Sequence, residues 1–115
     1  MAQIYYYTSP SGENPFSKFL DSLLPKQQAK ILRIFQYIRQ YDLKVVSSHI
    51  KKLSGTPLWE IRILGKDNIR VVYISWQKLN ILILHGFIKK TNKTPKKELK
   101  IALKRLDDWY KRFVN

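Results

Sequence analysis

A chain of 115 residues, 44% of them hydrophobic and 13% aromatic, has apolar surface for one folded domain and too much of it for a disordered segment. It contains no Cys, which excludes a disulfide scaffold and a cysteine-rich zinc site. Against 22 Lys and Arg stand 8 Asp and Glu, a net charge of +14; a compact domain so charged repels itself unless a polyanion is its usual company, and nucleic acid is the first candidate, ahead of a membrane surface.

In chain order, residues 2–8 (AQIYYYT) are aromatic and β-prone and predict a short first strand. Ser9 to Asn14 carries Pro, Ser and Gly and reads as a turn, with Asn14 capping a helix that has Pro15 at its first position. That helix shows Phe16, Phe19, Leu20, Leu23 and Leu24 on one face. Pro25 ends it and opens a second helix, antiparallel to the first, in which Ile31, Ile34, Phe35 and Ile38 fall at helical spacing among Lys26, Lys30, Arg33 and Arg39. A short strand or extended segment is expected near Val45–His49, then a loop through Gly55 and Pro57.

Three strands follow, Leu58–Leu64, Asn68–Trp76 and Leu79–Phe87. The short connections Gly65-Lys66-Asp67 and Gln77-Lys78 make them an antiparallel meander. The last strand is apolar at nearly every position, so both its faces should be covered. After the loop Ile88–Thr94, Pro95 opens a closing helix with Thr94 as N-cap, and Leu99, Ala102, Leu103, Leu106, Tyr110 and Phe113 form its apolar stripe. The expected architecture is α+β, a single domain over residues 1–115: a strand, two helices, a three-stranded meander and a helix.

Enzymatic options narrow by elimination. His49 and His85 are too few and too far apart to suggest a metal site, the Gly residues are scattered, and no Ser–His–Asp arrangement follows from spacing. What remains is a concentration of cations. With a three-residue hairpin loop, Leu64 pairs with Asn68 and Arg62 falls opposite Arg70 on one face. Two such arginines repel unless an anion bridges them or Glu60, on the same face, pairs with one; a four-residue loop would put them on opposite faces. The loop cations Lys89 and Lys90 would lie at one end of that face, as a solvated run or as part of a site. His85 reads either as a satisfied core or edge histidine or as a site residue, and His49, Lys51 and Lys52 suggest a surface that tracks phosphates. Trp59 and Tyr73 read as core; Trp76, beside a turn, reads equally as core or as a base-stacking platform. No apolar run reaches the roughly 18 residues of a membrane helix, and the N-terminus lacks the pattern of a secretion signal, so a cytoplasmic protein without a membrane partner is expected.

The succession Leu58-Trp59-Glu60-Ile61-Arg62, Ile69-Arg70-Val71-Val72-Tyr73 and Leu84-His85-Gly86-Phe87-Ile88-Lys89-Lys90-Thr91, closing with Lys93-Thr94-Pro95 and a helix, resembles the HigB-type, phage-derived branch of the RelE/ParE toxin superfamily. The resemblance implies the toxin of a type II toxin–antitoxin system, a metal-independent, cofactor-free endoribonuclease that cuts mRNA in the ribosomal A site and inhibits translation. Its implied partners are the ribosome and a HigA-like helix–turn–helix antitoxin, through which alone it would meet operator DNA. Carried over by position, the implied catalytic residues are Arg62, Arg70, Lys89 and Lys90, with His49, Lys51, Lys52, His85, Thr91 and Lys93 binding RNA. Where RelE proteins carry a lysine this chain has Glu60, and the tyrosine they use after the last strand has no counterpart between Thr91 and Pro95. The same fold in ParE relatives poisons DNA gyrase, and a non-catalytic module binding RNA or the ribosome is the other alternative.

Overall fold

A computed structural model of the chain describes residues 2–63 and 65–114. The strands are β1 (Ile4–Tyr6), β2 (Ile50–Lys52), β3 (Trp59–Ile63), β4 (Ile69–Trp76) and β5 (Asn80–Ile88). The helices are α1 (Pro15–Asp21), α2 (Pro25–Tyr41) and α3 (Lys96–Phe113), with a 3₁₀ segment at Leu43–His49. The strands form one sheet in the order β1-β5-β4-β3-β2. β1 runs parallel to β5, and every other pair is antiparallel. The α+β class and the meander agree with the sequence; Leu64, and its expected pairing with Asn68, lie outside the described residues.

Local signals explain most boundaries. The Asn14 side chain accepts from the Ser17 N–H at 3.0 Å, satisfying one of the orphan donors of α1. α1 stops at Asp21, three residues short of the expected apolar face, because Leu24 precedes proline and is held extended; its side chain is exposed. The strand expected at Val45–His49 is instead the 3₁₀ segment, and the strand lies just after it at Ile50–Lys52. The β preference of Val45 and Val46 yields to tertiary packing, which buries Val46 against the α2 side of the sheet.

The sheet is covered on both faces. One face sets Ile61, Ile63, Val71, Tyr73, Ile81 and Ile83 against Phe16, Ile31, Ile34, Phe35 and Ile38 of α1 and α2. The other sets Val72, Ile74, Leu82, Leu84 and Phe87 against Ala102, Leu106 and Trp109 of α3. The buried stripe of α3 therefore includes Trp109, which the sequence reading left out, whereas Leu103, Tyr110 and Phe113 are exposed. The helix carries apolar residues over an arc wider than its contact with the sheet, so spacing alone cannot say which edge is buried. Thr94 does not cap α3: the N-cap position is Pro95, without a side-chain bond, and the Thr94 hydroxyl is used elsewhere.

Where α1 crosses β5, the backbone comes so close that a Cβ on Gly86 would lie 2.5 Å from the Phe19 ring and 2.7 Å from that of Phe16. One irregularity in β5 redirects His85. Tyr73 pairs with Ile83 and Val72 with His85, leaving Leu84 as an extra residue in β5. This bulge puts His85 on the α3 face together with Leu84; a regular strand would have turned it toward α1 and α2.

Candidate functional site

The site is built on the α3 face of the sheet, where β3, β4 and β5 carry Glu60, Arg62, Arg70 and His85. Two adjacent rows cross the strands there. Lys51 lies opposite Glu60, Glu60 opposite Val72, and Val72 opposite His85. In the next row Arg62 lies opposite Arg70, as the three-residue hairpin loop predicted, and Arg70 opposite Phe87. Both arginines are half-buried, so two cations share one face of neighbouring strands with reduced access to water.

Glu60, two residues before Arg62 and on the same face of β3, is fully buried at 0% exposure. One carboxylate oxygen accepts from the Thr94 hydroxyl at 2.9 Å, and the other lies 3.4 Å from Arg70 Nε. The second contact is an ion pair without a formed hydrogen bond: Glu60 Oε1 and Arg70 Nε are both buried without a hydrogen-bond partner among the described residues, as is Arg62 Nε. Arg70 Nη1 donates to its neighbour's carbonyl, Ile69 O, at 3.1 Å.

Beside Arg70 the chain forms a polar depression of about 270 Å³ lined by Asn68, Arg70, Lys89, Lys90, Thr91 and Asn92. Its position follows from the β4–β5 ladder, which the Lys89 N–H extends by donating to Asn68 O at 2.8 Å. Asn68 itself sits in the left-handed region (φ 55°), which asparagine tolerates. The Thr91 hydroxyl donates to Lys93 O at 2.6 Å and closes the loop on itself. Lys89, Lys90 and Arg70 are thus gathered around one concavity, and Arg62 stands one strand away from it.

His85, 8% exposed, is held at both ring nitrogens. Arg105 Nη1 lies 3.1 Å from Nδ1 and also donates to Leu84 O at 2.9 Å. A guanidinium can only donate, so Nδ1 accepts, the proton sits on Nε2, and Nε2 donates to Glu98 at 3.0 Å. Burial lowers the His85 pKa below its ordinary value, aided by the Arg105 charge and opposed by the hydrogen bond to Glu98. The ring, stacked on Phe87 at 5.6 Å, is neutral and has no free lone pair for taking a proton from a substrate. It joins the β5 bulge to α3.

Glu98, Arg105 and Thr94 were missed by reasoning from sequence. The available signal was spacing: Glu98 and Arg105 stand seven apart on α3, hence on one side of the helix, beside the buried Ala102 and Leu106. The remaining expected RNA-binding residues are dispersed. His49 Nδ1 donates to Arg62 O at 3.1 Å, and the ring lines a separate groove of about 340 Å³ against α2, with Lys30, Arg33 and Tyr37. Register puts Lys51 on the Glu60 face and Lys52 on the opposite one, where its ammonium covers the Trp59 ring at 5.4 Å. Lys93 is exposed in the loop. Tyr73 is core, Trp59 is 36% exposed, and Trp76 packs edge-on against Trp109.

Among the described residues no cluster of three His, Asp or Glu is placed to hold a metal, and no helix is long and apolar enough to cross a membrane. Comparison with protein families matches residues 18–107 to the family described as "Phage derived protein Gp49-like". A search of curated proteins found no match.

Proposed function

This chain belongs to the phage-derived Gp49-like family, a family compatible with the toxins of toxin–antitoxin systems, and from that premise we propose that it is a ribosome-dependent endoribonuclease of the HigB type. The observation that carries the reading is the convergence of Arg70, Lys89 and Lys90 on one polar depression, with Arg62 beside it. The order strand, two helices, antiparallel meander and closing helix supports a RelE/ParE-type fold.

In this reading a message strand lies across the polar depression. The 2′-OH of one nucleotide gives its proton to water, attacks the adjacent phosphorus, and expels the 5′-oxygen of the next nucleotide, leaving a 2′,3′-cyclic phosphate and a 5′-OH. Negative charge gathers on the phosphoryl oxygens in the transition state. Arg70 and Arg62 neutralise it with planar forks that match phosphate oxygens in pairs. Lys90, the exposed member of the lysine pair, gives a proton to the departing 5′-oxygen, and the more enclosed Lys89 holds the flanking phosphate. His85 orients its surroundings and takes no proton in this scheme. A ribosomal A site would supply the alignment of the attacking oxygen. The partner expected is a HigA-like helix–turn–helix antitoxin with an acidic segment that neutralises the cationic face.

Primer extension on a defined message in a purified translation system tests this. New 5′ ends inside the reading frame that vanish when ribosomes are omitted are the expected result. An intact message beside folded protein would sink the ribonuclease reading, and loss of supercoiling by gyrase in a parallel assay would replace it with the ParE-like one.

A further inference from the structure

We propose that Glu60 is the positioning residue of the cationic site: one buried carboxylate aims Arg70 with one oxygen and, through Thr94, ties down the Lys89–Thr94 loop with the other. A carboxylate with no exposed surface cannot touch a message, so Glu60 takes no part as base or acid. Yet burying a charge is costly unless it is matched, and here it stands on the same face as the cross-strand pair Arg62 and Arg70. Its two oxygens go to two different parts of the site. Oε1 lies 3.4 Å from Arg70 Nε, whose guanidinium is also tied through Nη1 to Ile69 O, so the fork is restrained from two sides while the side chain lines the depression. Oε2 accepts at 2.9 Å from Thr94, a residue 34 positions away that ends the loop carrying Lys89 and Lys90. The hydroxyl expected to cap α3 serves this tie instead, and α3 begins without a side-chain cap. A single buried anion therefore sets both the arginine and the lysines, and offsets the repulsion between cations that the site needs close together.

The experiment has a spectroscopic arm that does not depend on the ribonuclease reading and a binding arm that rests on it. In a nitrogen–proton correlation spectrum of the wild-type protein, Arg70 Nε–Hε should give a distinct, slowly exchanging signal. A signal that exchanges like that of a free arginine overturns the proposal without any variant being made. In Glu60→Gln the carboxamide oxygen still accepts from Thr94, so the loop amides should stay ordered while the Arg70 signal collapses. Thr94→Val should do the reverse, loosening the amides of 89–94 and sparing the Arg70 signal, and Thr94→Ser should restore the loop. A loop unmoved by Thr94→Val also overturns the proposal.

The binding arm uses a 2′-O-methylated, uncleavable RNA. Glu60→Gln should weaken binding about tenfold, and about not at all in an Arg70→Ala background, because the residue acts through that arginine. Equal losses in both backgrounds would reduce Glu60 to a structural residue. If wild-type protein ignores the free RNA, the same comparison of backgrounds is made on cleavage of a ribosome-bound message, where an intact message sinks the ribonuclease reading, while the spectroscopic arm still decides the proposal. Should Glu60→Gln not fold, the wild-type Arg70 exchange rate and the Thr94 pair remain decisive.

Discussion

His85 shows how much a single hydrogen-bond donor can determine. Because Arg105 can only donate, its approach to Nδ1 fixes the tautomer, and the remaining proton goes to Glu98. A pH dependence of stability follows. The folded protein holds His85 below its ordinary pKa near 6.5, so the unfolded chain binds the proton first as pH falls. This contribution is complete above about pH 6.5 and is lost as pH drops through the folded value. Denaturant midpoints between pH 7.5 and 5 should fall for the wild type, and His85→Gln should flatten that decline; an equal slope in both would sink the assignment. The position of Arg62 opposite Arg70 was one of the two phases the sequence allowed, the one that a three-residue hairpin loop gives, since loop length sets strand phase and phase sets the face. The burial of Glu60 was not legible, because the residue that satisfies it lies 34 positions away in the chain.

At the scale of elements, β5 and α3 decide where the site can be. One extra residue in β5 moves His85 onto the α3 face, and no period-two reading of Leu82-Ile83-Leu84-His85 reveals it. The cover on both faces of β5 was legible from its unbroken apolar run. The buried edge of α3 was not, since Leu103 and Trp109 flank the same helix and only the sheet distinguishes them. Leu106, at the centre of the α3 contact, should cost about 2–5 kcal/mol when replaced by Ala, read as a lower denaturant midpoint at constant slope. Gly86→Ala must displace Phe16 or Phe19 and should cost about 1–3 kcal/mol, whereas alanine at the open Gly12 meets no neighbour and strains only its backbone. A Gly86→Ala protein as stable as the wild type would show that the α1–β5 approach is looser than described.

For the whole molecule, the net charge of +14 exceeds what the site itself requires. The surplus forms a field that gathers a polyanion before any specific contact is made. If four cations, Arg62, Arg70, Lys89 and Lys90, meet phosphates of a single strand, they should contribute a salt slope of about 3 to RNA affinity, and Arg70→Ala should lower the observed slope by about 0.7. A slope that Arg70→Ala leaves unchanged would place the phosphates elsewhere, for instance along the separate groove of His49, Lys30 and Arg33. On the proposed reading, an acidic antitoxin segment is the antagonist expected for the same field. The ribonuclease claim meets its most direct test when wild type, Arg70→Ala and Lys90→Ala, each shown folded by circular dichroism, are added to the same translated message and the 5′ ends are mapped. Ribosome-dependent ends are expected from the wild type and a loss of at least about a hundredfold in each variant, in line with the effect of removing a group that stabilises transition-state charge. Undiminished cutting by both variants would contradict the claim and move the chemistry away from the depression beside β4 and β5.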